Sequence, residues 1–228
     1  MVLYETFKQI YQRACQRKGG EQTLLTMLSQ PLPPEKIASL SDADILSALT
    51  KAIFQAGFNW QQINDKWPHF EVAFLNFDLA ELQHKDELWY ARLQQNTQIV
   101  RNSKKILAVK QNVKLIADLS EKYGSSAVFI ANWPGDEIIG LWQYLKQHGS
   151  RLGGITGARA LRTLGKDTFI LSPDVEGYLA EHQIITGNIA SQSNQQKAQS
   201  FFNELKAQSN FSLQALSQLV ALSYEGDG

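Results

Sequence analysis

Hydrophobic residues recur every three or four positions along nearly the whole chain, which is the spacing that places them on one face of an α-helix. The clearest case is a long predicted helix that Asn102 or Ser103 starts and Gly124 closes. Its apolar positions share one face: Ile106, Val109, Val113, Ile116, Ala117 and Leu119. Alternation typical of β-strands is hard to find over more than about four residues. The pattern therefore predicts a nearly all-helical fold.

Capping and helix-breaking residues divide the rest of the chain into further helices. Ser41, Asn59 and Asp78 are predicted N-caps, because their side chains can accept hydrogen bonds from the first free N–H groups of a helix. A C-terminal helix carries an apolar stripe that is broken near Asn210. The other predicted helices cover residues 7–15, 23–28, 44–55, 79–83, 136–147, 156–164 and 173–181.

The composition is that of a folded protein. The chain has 228 residues, 43% of them hydrophobic, so one large domain or two lobes sharing an interface can bury a core. No apolar run approaches the roughly 18 residues that cross a bilayer, and the first residues lack the pattern of a signal peptide. Cys15 is the only cysteine, which excludes an intramolecular disulfide and cysteine-cluster metal sites. We therefore expect a soluble, cytoplasmic monomer with no membrane contact.

Charge is balanced overall but not evenly spread. The chain has 22 basic and 22 acidic residues, yet residues 92–166 contain twelve Lys and Arg against four Asp and Glu, a local net charge of +8. A basic middle in a neutral chain suits the binding of a polyanion, because neutralising phosphates releases counterions. The same residues are equally consistent with ordinary solvated helix faces.

The segment 152–160, Leu-Gly-Gly-Ile-Thr-Gly-Ala-Arg-Ala, lies between two predicted helices. Its paired glycines, Gly153 and Gly154, allow positive backbone torsions and close approach, and Ile155 is expected to anchor the turn in the core. Backbone N–H groups of such a turn, at the N-terminus of a helix, can hold a phosphate oxygen without reading base sequence. The alternative is a glycine-rich corner with a packing role only.

Several motifs resemble DNA-repair proteins. Residues 152–160 resemble the helix-hairpin-helix signature, with Gly153 in place of the usual proline and Thr156 in place of the usual second glycine. Four blocks are similar in order and spacing to bacterial DNA-3-methyladenine glycosylase I: QAGFNW at 55–60, FEVAFLNFD at 70–78, IVRNSKKI at 99–106 and LSPDVEGY at 171–178. The similarity covers about residues 42–180.

This resemblance implies an all-α, two-lobed helix-hairpin-helix glycosylase fold in which residues 1–228 form a single glycosylase-like unit. One lobe would comprise approximately residues 1–95 with 185–228, and the helix-hairpin-helix lobe residues 96–184, with the base pocket between them. Members of the family bind damaged duplex DNA, extrude a methylated adenine and hydrolyse its N-glycosidic bond. The implied partner is double-stranded DNA containing alkylated bases.

The resemblance also implies roles for individual residues. Trp60 takes the stacking position of the base pocket, and Gln55 and Phe58 take the positions that fill the gap left by an extruded nucleotide. Trp60 and Phe58 have the alternative of being core residues, and Arg101 that of a structural ion pair. The implied phosphate-binding residues are Gly153, Gly154, Ile155, Thr156, Arg101, Asn102 and Lys105.

Three positions depart from the family pattern. The pocket glutamate that recognises the adenine edge falls on Ala52, and the C-terminal pair of zinc ligands falls on Asp174 and Tyr178 while the N-terminal pair is missing. We therefore expect no metal and no cofactor, with apolar packing of Tyr4, Phe7 and Tyr11 and a long C-terminal helix in place of the zinc clasp. Asp174 is the candidate for the superfamily's catalytic aspartate, although as an acid in a first helical turn it needs no catalytic role.

Two functions are consistent with these residues. The first is a monofunctional glycosylase that excises alkylated purines such as 3-methyladenine in base excision repair, by hydrolysis and without a lysine nucleophile. The second is a catalytically silent relative that binds damaged DNA or serves as a scaffold, for which the missing pocket glutamate is the argument.

Overall fold

Regular structure is helical in every element of the computed structural model, which describes residues 5–225, so the predicted all-α class is confirmed. Among these residues no helix is long and apolar enough to cross a bilayer. Three short 3-10 segments occur at Leu75–Phe77, Leu93–Gln95 and Gly135–Glu137. The α-helices are α1 (Phe7–Arg17), α2 (Glu21–Met27), α3 (Pro34–Ala38), α4 (Asp42–Gln55), α5 (Trp60–Ala73), α6 (Leu79–Gln83), α7 (Glu87–Arg92), α8 (Ser103–Tyr123), α9 (Ser126–Asn132), α10 (Ile138–His148), α11 (Ile155–Thr163), α12 (Pro173–Glu181), α13 (Gln192–Ala207) and α14 (Leu213–Ser223).

The predicted N-caps are confirmed. In each, the side-chain oxygen accepts a hydrogen bond from the backbone N–H three residues later, at 3.1 Å for Ser41, 3.2 Å for Asn59, 3.0 Å for Asp78 and 3.2 Å for Asn102. The predicted break near Asn210 is also present, because it separates α13 from α14. The short helices α3, α7 and α9, of five to seven residues, are absent from the predicted set.

The chain divides into two compact units, which differ from the predicted lobes in where residues 32–95, 134–139 and 167–184 are placed. The unit called here the hairpin unit comprises residues 32–133 and 140–166, and the terminal unit comprises the described residues of 1–31, 134–139 and 167–228. Residues 32–95 therefore belong to the same unit as the 152–160 segment. The division into lobes at 95/96 and 184/185 stays a prediction.

The core of the hairpin unit forms around α4, which packs against α8, α11 and α5. α4 buries apolar residues on most of its circumference, among them Ile45, Leu49 and Phe54, all fully buried. α8 contributes the predicted stripe, with Ile106, Val109 and Ile116 fully buried. An aromatic stack continues the core under α5: Trp67, Phe70, Phe74 and Phe77.

In the terminal unit, α14 packs against α1, α12 and α13. The expected apolar packing of the N-terminal region is present, because the rings of Phe7 and Tyr11 lie 5.5 and 5.9 Å from that of Phe211. Tyr4 lies outside the described residues.

A polar cluster that the sequence analysis did not foresee also fastens this N-terminal region. The Arg13 guanidinium donates two hydrogen bonds, of 2.7 and 2.6 Å, to the Glu5 carboxylate. The Tyr178 hydroxyl of α12 donates a third, of 2.8 Å. Tyr178 is one of the positions where the resemblance places a zinc ligand, so hydrogen bonds join the N-terminal segment to α12 at this point.

Candidate nucleic-acid interface

The hairpin consists of the end of α10, the loop 149–154 and α11. Gly154 has φ +59° and ψ −137°, a conformation that strains any residue with a side chain. A Cβ added at Gly157 would lie 2.6 Å from the carbonyl oxygen of Leu152, so α11 packs directly against the loop. The expectation that Ile155 anchors the turn was wrong: Ile155 is only partly buried, whereas Leu152 is 1% exposed and fills that place.

Asn112 of α8 holds the hairpin loop in position. Its side chain is fully buried in the apolar face of the helix, beside Val113. Its Oδ1 accepts a hydrogen bond of 2.8 Å from the backbone N–H of Ser150, and its Nδ2 donates one of 3.2 Å to the Ser150 carbonyl oxygen. A buried amide paired twice with one backbone unit fixes where that unit lies. A polar residue within an otherwise apolar helical stripe was the signal for this role in the sequence.

An open cleft of about 350 Å³ lies between the hairpin and the end of α4. A cavity of this size is in the range of small-ligand sites, which begins at about 300 Å³. Two of the predicted phosphate-binding residues of the loop line the cleft, Gly153 and Thr156, and Gly154 and Ile155 do not. The complete lining is Ile53, Ala56, Lys105, Arg151, Gly153 and Thr156.

Lys105 contributes charge to the cleft but is itself only 4% exposed. Its ammonium donates hydrogen bonds to the carbonyl oxygens of Phe54 (3.1 Å) and Ala56 (2.6 Å) and lies 4.4 Å from the centre of the Phe58 ring. It therefore satisfies carbonyl groups that the end of α4 leaves free. Burial, and then the charge of Arg151, lower the pKa of this ammonium. Lys105 thus joins α8 to α4, and its phosphate-binding role stays a prediction.

The neighbouring residues of the basic block differ from Lys105. Asn102 is the N-cap of α8, so its side-chain oxygen is used within the helix. Arg101 is exposed in the loop before that cap. A cation at this place lies beside the positive end of α8, which makes the local field favourable for an anion. Both roles in phosphate binding stay predictions.

Trp60 is the first residue of α5 and its side chain is 46% exposed, so it is not a core tryptophan. The guanidinium carbon of Arg159, on α11, lies 4.8 Å from the centre of a Trp60 ring, in cation–π contact. The exposed indole therefore belongs to the same compact unit as the hairpin and contacts the hairpin's second helix. Its predicted part in base stacking requires this accessibility.

The other predicted pocket and wedge residues lie in the last turns of α4 and on the segment that joins α4 to α5. Phe58 is 38% exposed. The Gln55 side-chain amide donates a hydrogen bond of 3.3 Å to Asn64 Oδ1. Ala52 is buried at 7% exposure and is absent from the cleft lining. The family's recognition glutamate thus has no counterpart at this position.

Asp174 lies in the terminal unit, in the first turn of α12, and its side chain is exposed. The N-cap of this helix is Ser172, whose hydroxyl accepts a hydrogen bond of 3.4 Å from the Val175 N–H. An acid in the first turn is favourable against the helix dipole. This placement fits a helix-stabilising acid, and the catalytic role of Asp174 stays a prediction.

The described residues that line the cleft include two cations, Lys105 and Arg151, and no acid. Arg151 is one of the twelve basic residues of 92–166, and its left-handed backbone, with φ +60°, is a feature that the sequence did not indicate. Low-dielectric walls strengthen the field of such cations. The cleft is therefore suited to an anionic group, and the exposed indole beside the hairpin is suited to a planar one.

Comparison with known proteins gives a matching family model, described as methyladenine glycosylase, over residues 37–151. Three solved structures of 3-methyladenine DNA glycosylase I resemble the chain with a TM-score of 0.51. One is a tyrosine-to-phenylalanine variant in complex with 3-methyladenine (23% identity, 60% of this chain and 81% of that one). Two are from Staphylococcus aureus. One concerns 3-methyladenine recognition and has 23% identity over 60% of this chain and 80% of that one. The other is a glutamate-to-glutamine variant with 22% identity over 67% of this chain and 91% of that one. At these identities the likeness shows the fold.

Proposed function

Because the chain belongs to the methyladenine glycosylase family, we propose that it binds double-stranded DNA and releases alkylated purines such as 3-methyladenine by hydrolysing their N-glycosidic bonds. One observation carries the proposal: the hairpin cleft and an exposed indole lie in one compact unit, and the Arg159 side chain of α11 contacts that indole, the side chain of Trp60. A phosphate site and a stacking surface are the two elements that holding an extruded nucleotide requires.

Docking to the DNA backbone would use the hairpin. The first backbone N–H groups of α11 have no partner within the helix, and its positive end adds to the charges of Lys105 and Arg151. These groups contact phosphate irrespective of base sequence, so they position the duplex without selecting a site. Damage would then be selected by the ease of extruding the base and by its stacking on Trp60.

The chemistry asks little of the protein when the base is methylated at a ring nitrogen. Such a purine nucleoside is cationic, and breaking the bond between C1′ and the base nitrogen releases a neutral base. The bonding electrons stay with the base, a water oxygen bonds to C1′, and the water's proton passes to solvent. An indole that stacks on the cationic purine stabilises it by dispersion and cation–π attraction. No general acid is required to protonate the leaving group.

A second function is favoured by one observation, the presence of Ala52 where the family has its recognition glutamate. Without that carboxylate, and with two cations in the cleft, a cationic base has less to hold it than a phosphate has. The chain would then bind damaged DNA without excising a base.

An assay of base release from methylated duplex DNA, with the free bases separated by chromatography, distinguishes excision from silent binding. We expect 3-methyladenine to be released by the wild type and about 5- to 150-fold more slowly by Trp60→Ala, because loss of one stacked base costs about 1–3 kcal/mol. Val72→Ala is the matched control, since Val72 lies on the same helix and is 73% exposed. Salt-sensitive DNA binding without release of any base would favour the silent relative instead.

A further inference from the structure

Arg159 has an unusual environment for a basic residue. It is half-buried, and within residues 5–225 it forms no ion pair with a carboxylate. The contact recorded for its guanidinium is the ring of Trp60, at 4.8 Å. Burial lowers the pKa of the Arg159 guanidinium, as expected for a desolvated cation without a carboxylate partner. The indole is therefore partly covered by a charge that has no anionic partner in the described chain.

The position of Arg159 on α11 relates it to the hairpin. Arg159 follows Thr156 by three residues, so the two side chains lie on adjacent positions of one helix face. Thr156 lines the cleft, and the N-terminus of α11 opens at the same loop. A phosphate held at this helix end is therefore on the same side of α11 as the Arg159 side chain.

A phosphate is a better partner for a guanidinium than an indole is. Arginine binds phosphate through paired, charge-assisted hydrogen bonds, which are about twice as strong as neutral ones. A cation–π contact at an exposed site is weak by comparison. It shifts the equilibrium between contact and separation of the cation and the ring by only about 2- to 5-fold. An arriving phosphate therefore draws the guanidinium away from the ring.

We propose that Arg159 is a positioning residue that covers Trp60 in the free protein and moves to a DNA phosphate on docking, which opens the indole to an extruded base. The inference rests on the proposed function, because it takes Trp60 as the stacking surface. Its consequence is a positive coupling between backbone binding and base stacking. A free base in solution meets a covered indole, whereas a base extruded from docked DNA meets an open one.

The test uses the full chain and two probes whose binding should change in opposite directions. Free adenine is added to the protein, and its binding is followed by the quenching of tryptophan fluorescence. The part of the signal that belongs to Trp60 is identified as the part missing in Trp60→Phe. In Arg159→Gln this affinity should rise by about 2- to 5-fold, because the competing cation is gone. Undamaged duplex DNA is titrated over a salt series, where Arg159→Gln should weaken binding and reduce the salt slope by about one phosphate contact.

Two further variants provide controls. Arg159→Lys keeps the charge, so it should retain the salt slope of the wild type. Arg92→Gln removes an exposed arginine elsewhere in the hairpin unit and should leave adenine affinity unchanged.

A structural role for Arg159 would weaken the binding of both probes together, and that result would overturn the proposal. Unchanged or weaker adenine binding in Arg159→Gln would overturn it as well, even if DNA binding falls. Failure of the proposed function has a different signature, since it is the absence of base release from methylated DNA by the wild type.

Discussion

The contact between Gly157 and the hairpin loop permits a quantitative prediction. A Cβ at residue 157 would lie 2.6 Å from the Leu152 carbonyl oxygen, well inside van der Waals contact, and both residues are buried. The loop has little freedom to retreat, because Asn112 holds the adjoining Ser150 through two hydrogen bonds. Overpacking of this kind costs about 1–3 kcal/mol. In Gly157→Ala we therefore expect the urea midpoint to fall by about 1 M.

Gly153→Ala is the matched control, because it adds the same methyl group to the same hairpin. Its Cβ would meet only the flexible Lys146 side chain, at 3.4 Å, and residue 153 does not have a positive φ. Stability should change by no more than about 0.5 kcal/mol. Because Gly153 lines the cleft, however, the added methyl group should hinder the approach of a phosphate to the backbone there, and DNA affinity should fall by about tenfold, the loss expected for one charge-assisted hydrogen bond.

The two glycines thus separate packing from binding. Urea unfolding followed by circular dichroism measures the first effect, and duplex titration by fluorescence anisotropy measures the second. Equal stability in Gly157→Ala and wild type would refute the packing argument. Unaltered DNA affinity in Gly153→Ala would show that the cleft does not take part in docking.

Three further predictions concern the groups around these sites. Asn112→Ala should lower the unfolding free energy by about 2 kcal/mol, because two buried hydrogen bonds are lost, and hydrogen exchange at Ser150 should accelerate. The Arg13 hydrogen bonds hold the pKa of Glu5 below its ordinary value of 4.5, so the Glu5 carboxylate stabilises the fold above that pH and ceases to do so as the pH falls through the lowered value. In urea titrations from about pH 5 to about pH 3, Glu5→Gln should therefore lose stability less steeply than wild type. The free nucleoside of 3-methyladenine should be hydrolysed no faster than without protein, as chromatography would show, because it lacks the phosphates that the hairpin is proposed to bind.

The sequence predicted those parts of the structure that depend on local patterns. The caps at Ser41 and Asn59 follow from side-chain hydrogen bonds within one helical turn, and the α8 stripe follows from its period. Lys105 shows where such reasoning ends. In a run of exposed basic residues it had the pattern of a surface lysine, and the carbonyl groups that bury it belong to residues about fifty positions earlier.

The contact between Trp60 and Arg159 is a stronger case, since it joins residues about one hundred positions apart and no local pattern indicates it. Ile155 and Leu152 illustrate a different limit. Both are apolar and both flank the glycines, so composition alone does not decide which of them points inward. The backbone decides, because Gly154 between them adopts a turn conformation, with φ +59° and ψ −137°, that no sequence pattern specifies.

The cations at the hairpin relate the two candidate functions to each other. The positive charges of Lys105 and Arg151 would favour phosphate under either function, so DNA binding alone would not distinguish excision from silent binding. A cationic purine is repelled by the same charges as long as they are not neutralised. Excision would therefore require that phosphates reach the cleft before the base reaches Trp60, which is the order that withdrawal of Arg159 would impose. With Ala52 at the position of the family's pocket glutamate, selection of a cationic base would then depend on this order of events rather than on a carboxylate at residue 52.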